Sequence, residues 1–288
     1  FNHEGVYRID GTLIAAAAAS TDLVGEQEFV ITGNSSTVSA NGDCKVEWLS
    51  NLGTRTDMSY MFSGLGLTSF DGYWDTTNVT NMANMFYNLG PFTADVSSWN
   101  TSNVTNMASM FDRSGWGVYT FFITGFSSWN TTNVTDMSYM FSGVDFNEDI
   151  GSWNVSNVTN MSGMFEGAAN FNQDISGWNT SNVTNMRFMF DGGRAFNQNI
   201  GGWNVSNVTR MDYMFSYTDA FNQNIGGWNV SNVTRMGDMF RNATVFNQNI
   251  GGWNVSNTTD MGDMFNNATV FNQNIGGWNV SNVTRMGD

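Results

Sequence analysis

Apolar and polar positions along this chain recur as a fixed figure. A Met-x-x-Met-Phe box stands at Met58/Met61/Phe62, Met82/Met85/Phe86, Met107/Met110/Phe111, Met137/Met140/Phe141, Met161/Met164/Phe165, Met186/Met189/Phe190, Met211/Met214/Phe215, Met236/Met239/Phe240 and Met261/Met264/Phe265, and Met286 opens a tenth. Successive first methionines lie 24, 25, 30, 24 and then five times 25 residues apart, and a tryptophan keeps the same beat from Trp74 to Trp278. Units of this length cannot bury their apolar sides alone, whereas stacked units share one core. The pattern therefore predicts an α/β solenoid of leucine-rich-repeat type with about 25 residues per coil.

In the unit 196–220, the segment 196–200 alternates inward and outward positions and stops at Gly201-Gly202, as a short parallel strand does. Trp203 and Val205 make a buried corner. Val208, Met211, Met214 and Phe215 follow at helical spacing, with Ser206 placed to cap the first turn. Each coil is thus expected to hold one short strand and one short helix. In such a stack like residues sit over like, about 4.8 Å apart. The columns Asn197/Asn222/Asn247/Asn272 and Asn204/Asn229/Asn254/Asn279 are then expected to form amide ladders. Phe171, Phe196, Phe221, Phe246 and Phe271 are expected to stack, with methionine absorbing imperfect registration.

Residues 1–43 lack the repeat and carry strand-like pieces at 5–9 and 28–32, which fits a cap or junction ahead of a solenoid at 44–288. The single 30-residue interval holds an insertion near 114–124, read as a projecting loop. Its Trp116, Tyr119, Phe121 and Phe122 belong to no column and are the candidate contact with a partner. The chain begins at Phe1, as a processed product or an excerpt would, and stops inside a box. An uncovered last coil calls for more repeats or for end-to-end assembly with another subunit.

Composition narrows the function. Ten Lys and Arg stand against 25 Asp and Glu, a formal charge of −15, which opposes binding to a nucleic-acid backbone. One Cys, one His and one Pro leave no disulfide framework, zinc site or Ser-His-Asp triad to assemble within the chain. No apolar run is long enough for membrane insertion. Asp149 and Asp174 share a column beside Glu148 and could hold Ca²⁺, yet the column continues as Asn199, Asn224, Asn249 and Asn274, so Asp there also serves as a substitute for Asn. No other cofactor is expected. Arg235, Asp260 and Arg285 alternate in sign down one column and read as ion pairs between coils. Asn-x-Ser/Thr sequons recur about twice per coil, as at Asn204, Asn207, Asn229 and Asn232. These are glycan acceptors if the chain passes a eukaryotic secretory pathway, though decoration of every one would break a ladder.

The string FNQDISGWNTSNVTNM beginning at Phe171, with FNQNIGGWNVSNVTRM after it, resembles the BspA-like leucine-rich-repeat surface proteins over roughly 44–288. What the resemblance implies is a solenoid displayed outside the cell for adhesion or assembly, with no catalytic residues to carry over. The leading expectation is a non-enzymatic extracellular repeat protein, a stalk, fibre or adhesive surface whose partners are other subunits or cell-surface glycans and proteins. A phage fibre or decoration protein is a second reading. A polysaccharide-binding or polysaccharide-degrading solenoid is a third.

Overall fold

The computed structural model describes residues 56–64, 75–114 and 121–287, together with the strand backbones at 5–8, 13–16, 28–32, 44–48 and 67–70. Among the described residues seven strands make one sheet: β1 (Gly5–Arg8), β2 (Leu13–Ala16), β3 (Glu28–Thr32), β4 (Cys44–Trp48), β5 (Leu67–Phe70), β6 (Phe92–Asp95) and β7 (Phe121–Thr124), in the order β2-β1-β3-β4-β5-β6-β7. The pairings within β1, β2, β3 and β4 are antiparallel. From β4 onward they are parallel, one strand per repeat.

A second seam runs the length of the repeats. The residue before each first methionine pairs in parallel with its counterpart one repeat on, from Asp57↔Asn81 through Asn185↔Arg210 to Asp260↔Arg285. Beside it, the Thr209 hydroxyl donates to the Thr184 carbonyl at 3.1 Å, and the Thr209 amide reaches the same oxygen at 2.9 Å. That hydroxyl contact recurs at Thr80, Thr105, Thr135, Thr159, Thr184, Thr234, Thr259 and Thr284, each at 3.1–3.2 Å. Repeats therefore lie one on the next, in register.

The helix expected at the Met-x-x-Met-Phe box is not there. Alternate amides of the box are already committed to the next repeat: Met211 to Arg235, Tyr213 to Gly237, Phe215 to Met239 and Tyr217 to Arg241, all at 2.8–3.0 Å. An amide that bonds sideways cannot also close an i→i−4 ring. The chain instead makes tight turns such as Met214 N–H to Met211 C=O at 3.1 Å, and Tyr213 and Tyr217 take left-handed conformations with φ of 61° and 54°. Ser206 consequently caps no helix. Its own amide donates to Asn204 Oδ1 at 3.1 Å in a two-residue side-chain turn.

The strand expected at 196–200 forms in the corresponding place only in the earlier repeats, as β6 with its buried Phe92 and Ala94 alternating with exposed Thr93 and Asp95. In later repeats side chains take over the strand's hydrogen bonds. Asn197 Oδ1 accepts the Asn222 amide at 3.0 Å, and Gln223 Nε2 donates to the Asn197 carbonyl at 2.9 Å. The backbones are thus bridged by amides rather than paired directly. The insertion is also shorter than expected, because its last four residues are strand β7, which pairs residue for residue with β6.

One contiguous apolar core runs through the described repeats, from Met58 to Met264. Trp203 is 3% exposed, and its indole N–H donates to the Ile175 carbonyl of the preceding repeat at 3.1 Å. The same bond recurs from Trp129 to Trp278. Box phenylalanines stack from Phe62 to Phe265 at centroid separations of 5.5–6.0 Å. Each Phe171-type ring lies against its own box ring, as Phe196 against Phe190 at 3.9 Å. Met186, Met189, Met211 and Met214 are fully buried. These apolar columns supply the main driving force for stacking.

Candidate functional site

Charges gather on the box face. From the third box to the eighth, the position after the Met-Phe pair runs Asp112, Ser142, Glu166, Asp191, Ser216 and Arg241, so stacking sets the carboxylates of Glu166 and Asp191 in neighbouring repeats. Burial pushes Glu166 up to about 7, aided by the negative charges of Asp191 and Asp112 and opposed by Arg187. Burial likewise lifts Asp191 to about 6; the nearby Ser216 hydroxyl and Arg241 pull the other way, and Asp238 adds to the rise. These two groups can hold or release a proton near neutrality.

Four residues before Asp191, Arg187 pairs with the buried Asp212 of the next repeat. Arg210 grips the same carboxylate with Nε at 3.1 Å and Nη2 at 2.9 Å. The Arg187 guanidinium also lies 4.1 Å from the centre of the Phe188 ring. Asp238, almost fully buried, is met by Arg241 at 3.1 Å. The column of Arg235, Asp260 and Arg285 is paired as its signs predict, at 3.1 and 3.6 Å. Each of these arginines answers a carboxylate that stacking would otherwise leave desolvated.

Glu148, Asp149 and Asp174 are placed less suggestively. Asp149 Oδ1 accepts the Gly151 amide at 3.0 Å and Asp174 Oδ1 the Ser176 amide at 2.9 Å, the bond that Asn199 makes to Gly201 further along. The Ser176 hydroxyl first, and its amide next, hold the Asp174 carboxyl below its ordinary range. Asp therefore acts there as an Asn substitute within its own repeat. Among the described residues no group of three or more His, Cys, Asp or Glu side chains is placed to hold a metal ion.

The asparagine columns divide. Asn204 and Asn229 close turns within their own repeats, accepting the amides of Ser206 and Ser231, so the expected ladder does not run through them. It runs instead through the next asparagine: Asn207 Nδ2 donates to the Ser181 carbonyl and Asn232 Nδ2 to the Ser206 carbonyl, both at 2.7 Å. Of the four named sequons, those at Asn204 and Asn229 thus present an amide nitrogen without a hydrogen bond among the described residues, whereas those at Asn207 and Asn232 use theirs.

Of the aromatic candidates in the insertion, Trp116 and Tyr119 lie outside the described residues. Phe121 pairs its backbone with Phe92, and Phe122 is 61% exposed. Phe122 borders an open groove of about 200 Å³ that Thr124, Asp145, Phe146, Asn147 and Glu148 also line. Reading the sequence one motif at a time passes over the Glu166/Asp191 and Arg187/Arg210/Asp212 groups. Aligning the repeats past the box brings them out, because only then do they share or flank a column.

Among the described residues no helix is long and apolar enough to cross a membrane. No curated protein and no solved structure matches the chain. A family model described as "Mycoplasma protein of unknown function, DUF285" matches residues 56–116, 117–220 and 196–288, the span of every box, and the chain accordingly belongs to the DUF285 family of repeat proteins.

Proposed function

We propose that this chain is part of a non-enzymatic surface repeat protein of BspA-like kind: a solenoid of about 25 residues per coil, displayed outside the cell as a stalk, fibre or adhesive surface. It needs no cofactor, and its partners are other subunits or surface glycans and proteins. The observation that carries this reading is the threonine seam, the same hydroxyl-to-carbonyl bond repeated from Thr80 to Thr284. A bond that recurs at every repeat reinforces a scaffold along its whole length, whereas a catalytic site needs one place to differ from the rest. The ion pairs on the box face work in the same direction, spending charge on holding neighbouring repeats together.

Antibodies to the repeat region, applied to intact cells of the native source, test the placement. Labelling without permeabilisation, removed by brief protease treatment of whole cells, is the expected result. Labelling only after permeabilisation overturns it. Incubation with candidate polysaccharides tests the non-enzymatic part, and new reducing or unsaturated ends would overturn that.

A further inference from the structure

Beside the threonine seam runs a second feature of the same period. In eight successive repeats, from 100–105 to 279–284, the chain reads Asn-x-Ser/Thr-Asn-x-Thr without one charged residue. Both asparagines and the last threonine of the motif are exposed in every one of these repeats. The box face is the opposite, carrying Arg187, Asp191, Asp212, Asp238, Arg241 and Asp263. On a chain of net charge −15, this neutral strip, like the uncharged 196–203 segment and its later repeats beside it, offers a second negative molecule less repulsion than the box face does.

The strip also keeps hydrogen-bonding capacity after its internal bonds are made. Asn204 uses only Oδ1, on the Ser206 amide, leaving both hydrogens of Nδ2. Asn207 uses one hydrogen of Nδ2, on the Ser181 carbonyl, leaving Oδ1 to accept. Free donors and free acceptors therefore lie three residues apart in each repeat. A surface that carries both is complementary to itself, and a two-fold arrangement joins such a surface to its own copy. Each amide pair replaces bonds to water and contributes little by itself. Two copies of one chain share one period, however, so the contacts add along the strip.

From this we propose that the neutral Asn/Thr strip is a lateral pairing surface and that its occupant is a second copy of this chain, side by side. The pairing rests on the stacked-repeat reading above but not on where in the cell the protein stands.

Sedimentation equilibrium of the full 288-residue chain tests it, over a roughly hundredfold range of concentration at low and high salt. The expected result is a reversible dimer that strengthens as salt screens the net repulsion. Two triple variants of equal added charge locate the contact. Asn204→Asp with Asn229→Asp and Asn254→Asp puts charge on the strip. The fold tolerates it, since Asp75 fills that column in an earlier repeat and accepts the Thr77 amide at 3.0 Å. Tyr217→Asp with Asn242→Asp and Asn267→Asp puts the same charge on the box face, at left-handed positions that Asp accepts. The strip variant should weaken dimerisation about tenfold or more while the box variant tracks the parent, since like charges facing each other across a contact oppose it. Circular dichroism of each variant, and small-angle scattering of the monomer, show independently whether the stack is intact. An intact stack that stays monomeric at every concentration overturns the pairing alone. So does a dimer equally strong in both variants, or a monomer retained on a neutral polysaccharide through these asparagines.

Discussion

A left-handed backbone costs a residue with a side chain about 1–2 kcal/mol, and nearly every box here contains two. The second of them is glycine at Gly64, Gly143, Gly167 and Gly192, asparagine at Asn88, Asn242 and Asn267, and tyrosine at Tyr217. A Cβ added to Gly167 meets the Gly143 backbone no closer than 3.5 Å, so crowding does not enter and the backbone alone sets the effect. Gly167→Ala should therefore lower stability by up to about 1 kcal/mol once the entropy that glycine leaves in the unfolded chain is counted, read from denaturant midpoints. Tyr217→Gly, at an exposed position, should raise it by up to about 1 kcal/mol after the entropy of the added glycine is counted. Glu166 gives a pH signature at the same scale. Its carboxyl is pushed up to about 7 from 4.5 by burial first and by Asp191 and Asp112 next. The folded state thus binds more protons than the unfolded chain between those values, and stability falls as pH rises from about 4 to 7 and levels off above. Asp191, at about 6, acts in the same direction over a narrower window. Glu166→Gln should flatten the fall and raise the melting temperature at pH 8 relative to the parent, measured by calorimetry across pH.

At the scale of the element, side chains do much of what a backbone ladder does in an ordinary sheet. Thr209→Val keeps shape and β-branching but removes the hydroxyl bond to the Thr184 carbonyl, and that carbonyl keeps the Thr209 amide. A loss of about 0.5–1.5 kcal/mol is expected. Trp203→Ala removes a buried ring and the indole bond to Ile175, for which about 3–5 kcal/mol is expected. Equilibrium unfolding of the two variants checks both the sizes and their order. The sequence makes the register of these bonds legible, because a period counted in residues is also a period in space once the repeats stack. The path between columns is less so. Apolar residues at i, i+3 and i+4 suit a helix and a run of tight turns alike, and nothing in the residue types of Tyr213 or Phe188 announces a positive φ. At 196–200 the alternation fits a strand, but Asn197 and Gln198 can bond the neighbouring backbone themselves, and they do so in place of the ladder. The carboxylates of Glu166 and Asp191 look like solvated surface charges in isolation. Their raised proton affinity arises only when one repeat covers the next.

For the whole molecule, stability in a stack of repeats is a sum of one contribution from each repeat and one from each contact with its neighbour, so the natural unit of change is one repeat and not one residue. Deleting residues 221–245 joins Ala220 to Phe246 and returns every later column to its place, because the excised length equals the period. The charge columns survive the seam as well. Arg241 and Asp238, which pair with each other, leave together. Removing Arg235 sets Arg210 next to Asp260, an opposite-sign neighbour in place of a like-sign one. The shortened chain should therefore fold with its circular-dichroism shape unchanged, and its unfolding free energy should fall by roughly one repeat's share. Deleting 221–232 instead removes half a period. Asn and Gly would then face Met and Trp columns, the indole and threonine bonds would lose their acceptors, and buried polar groups would be left unpaired at the cost of several kcal/mol. That variant should lose cooperative unfolding, or fail to fold beyond the cut. Equal tolerance of the two deletions would mean that the columns do not specify the stack, and the layered account of this chain would have to be given up.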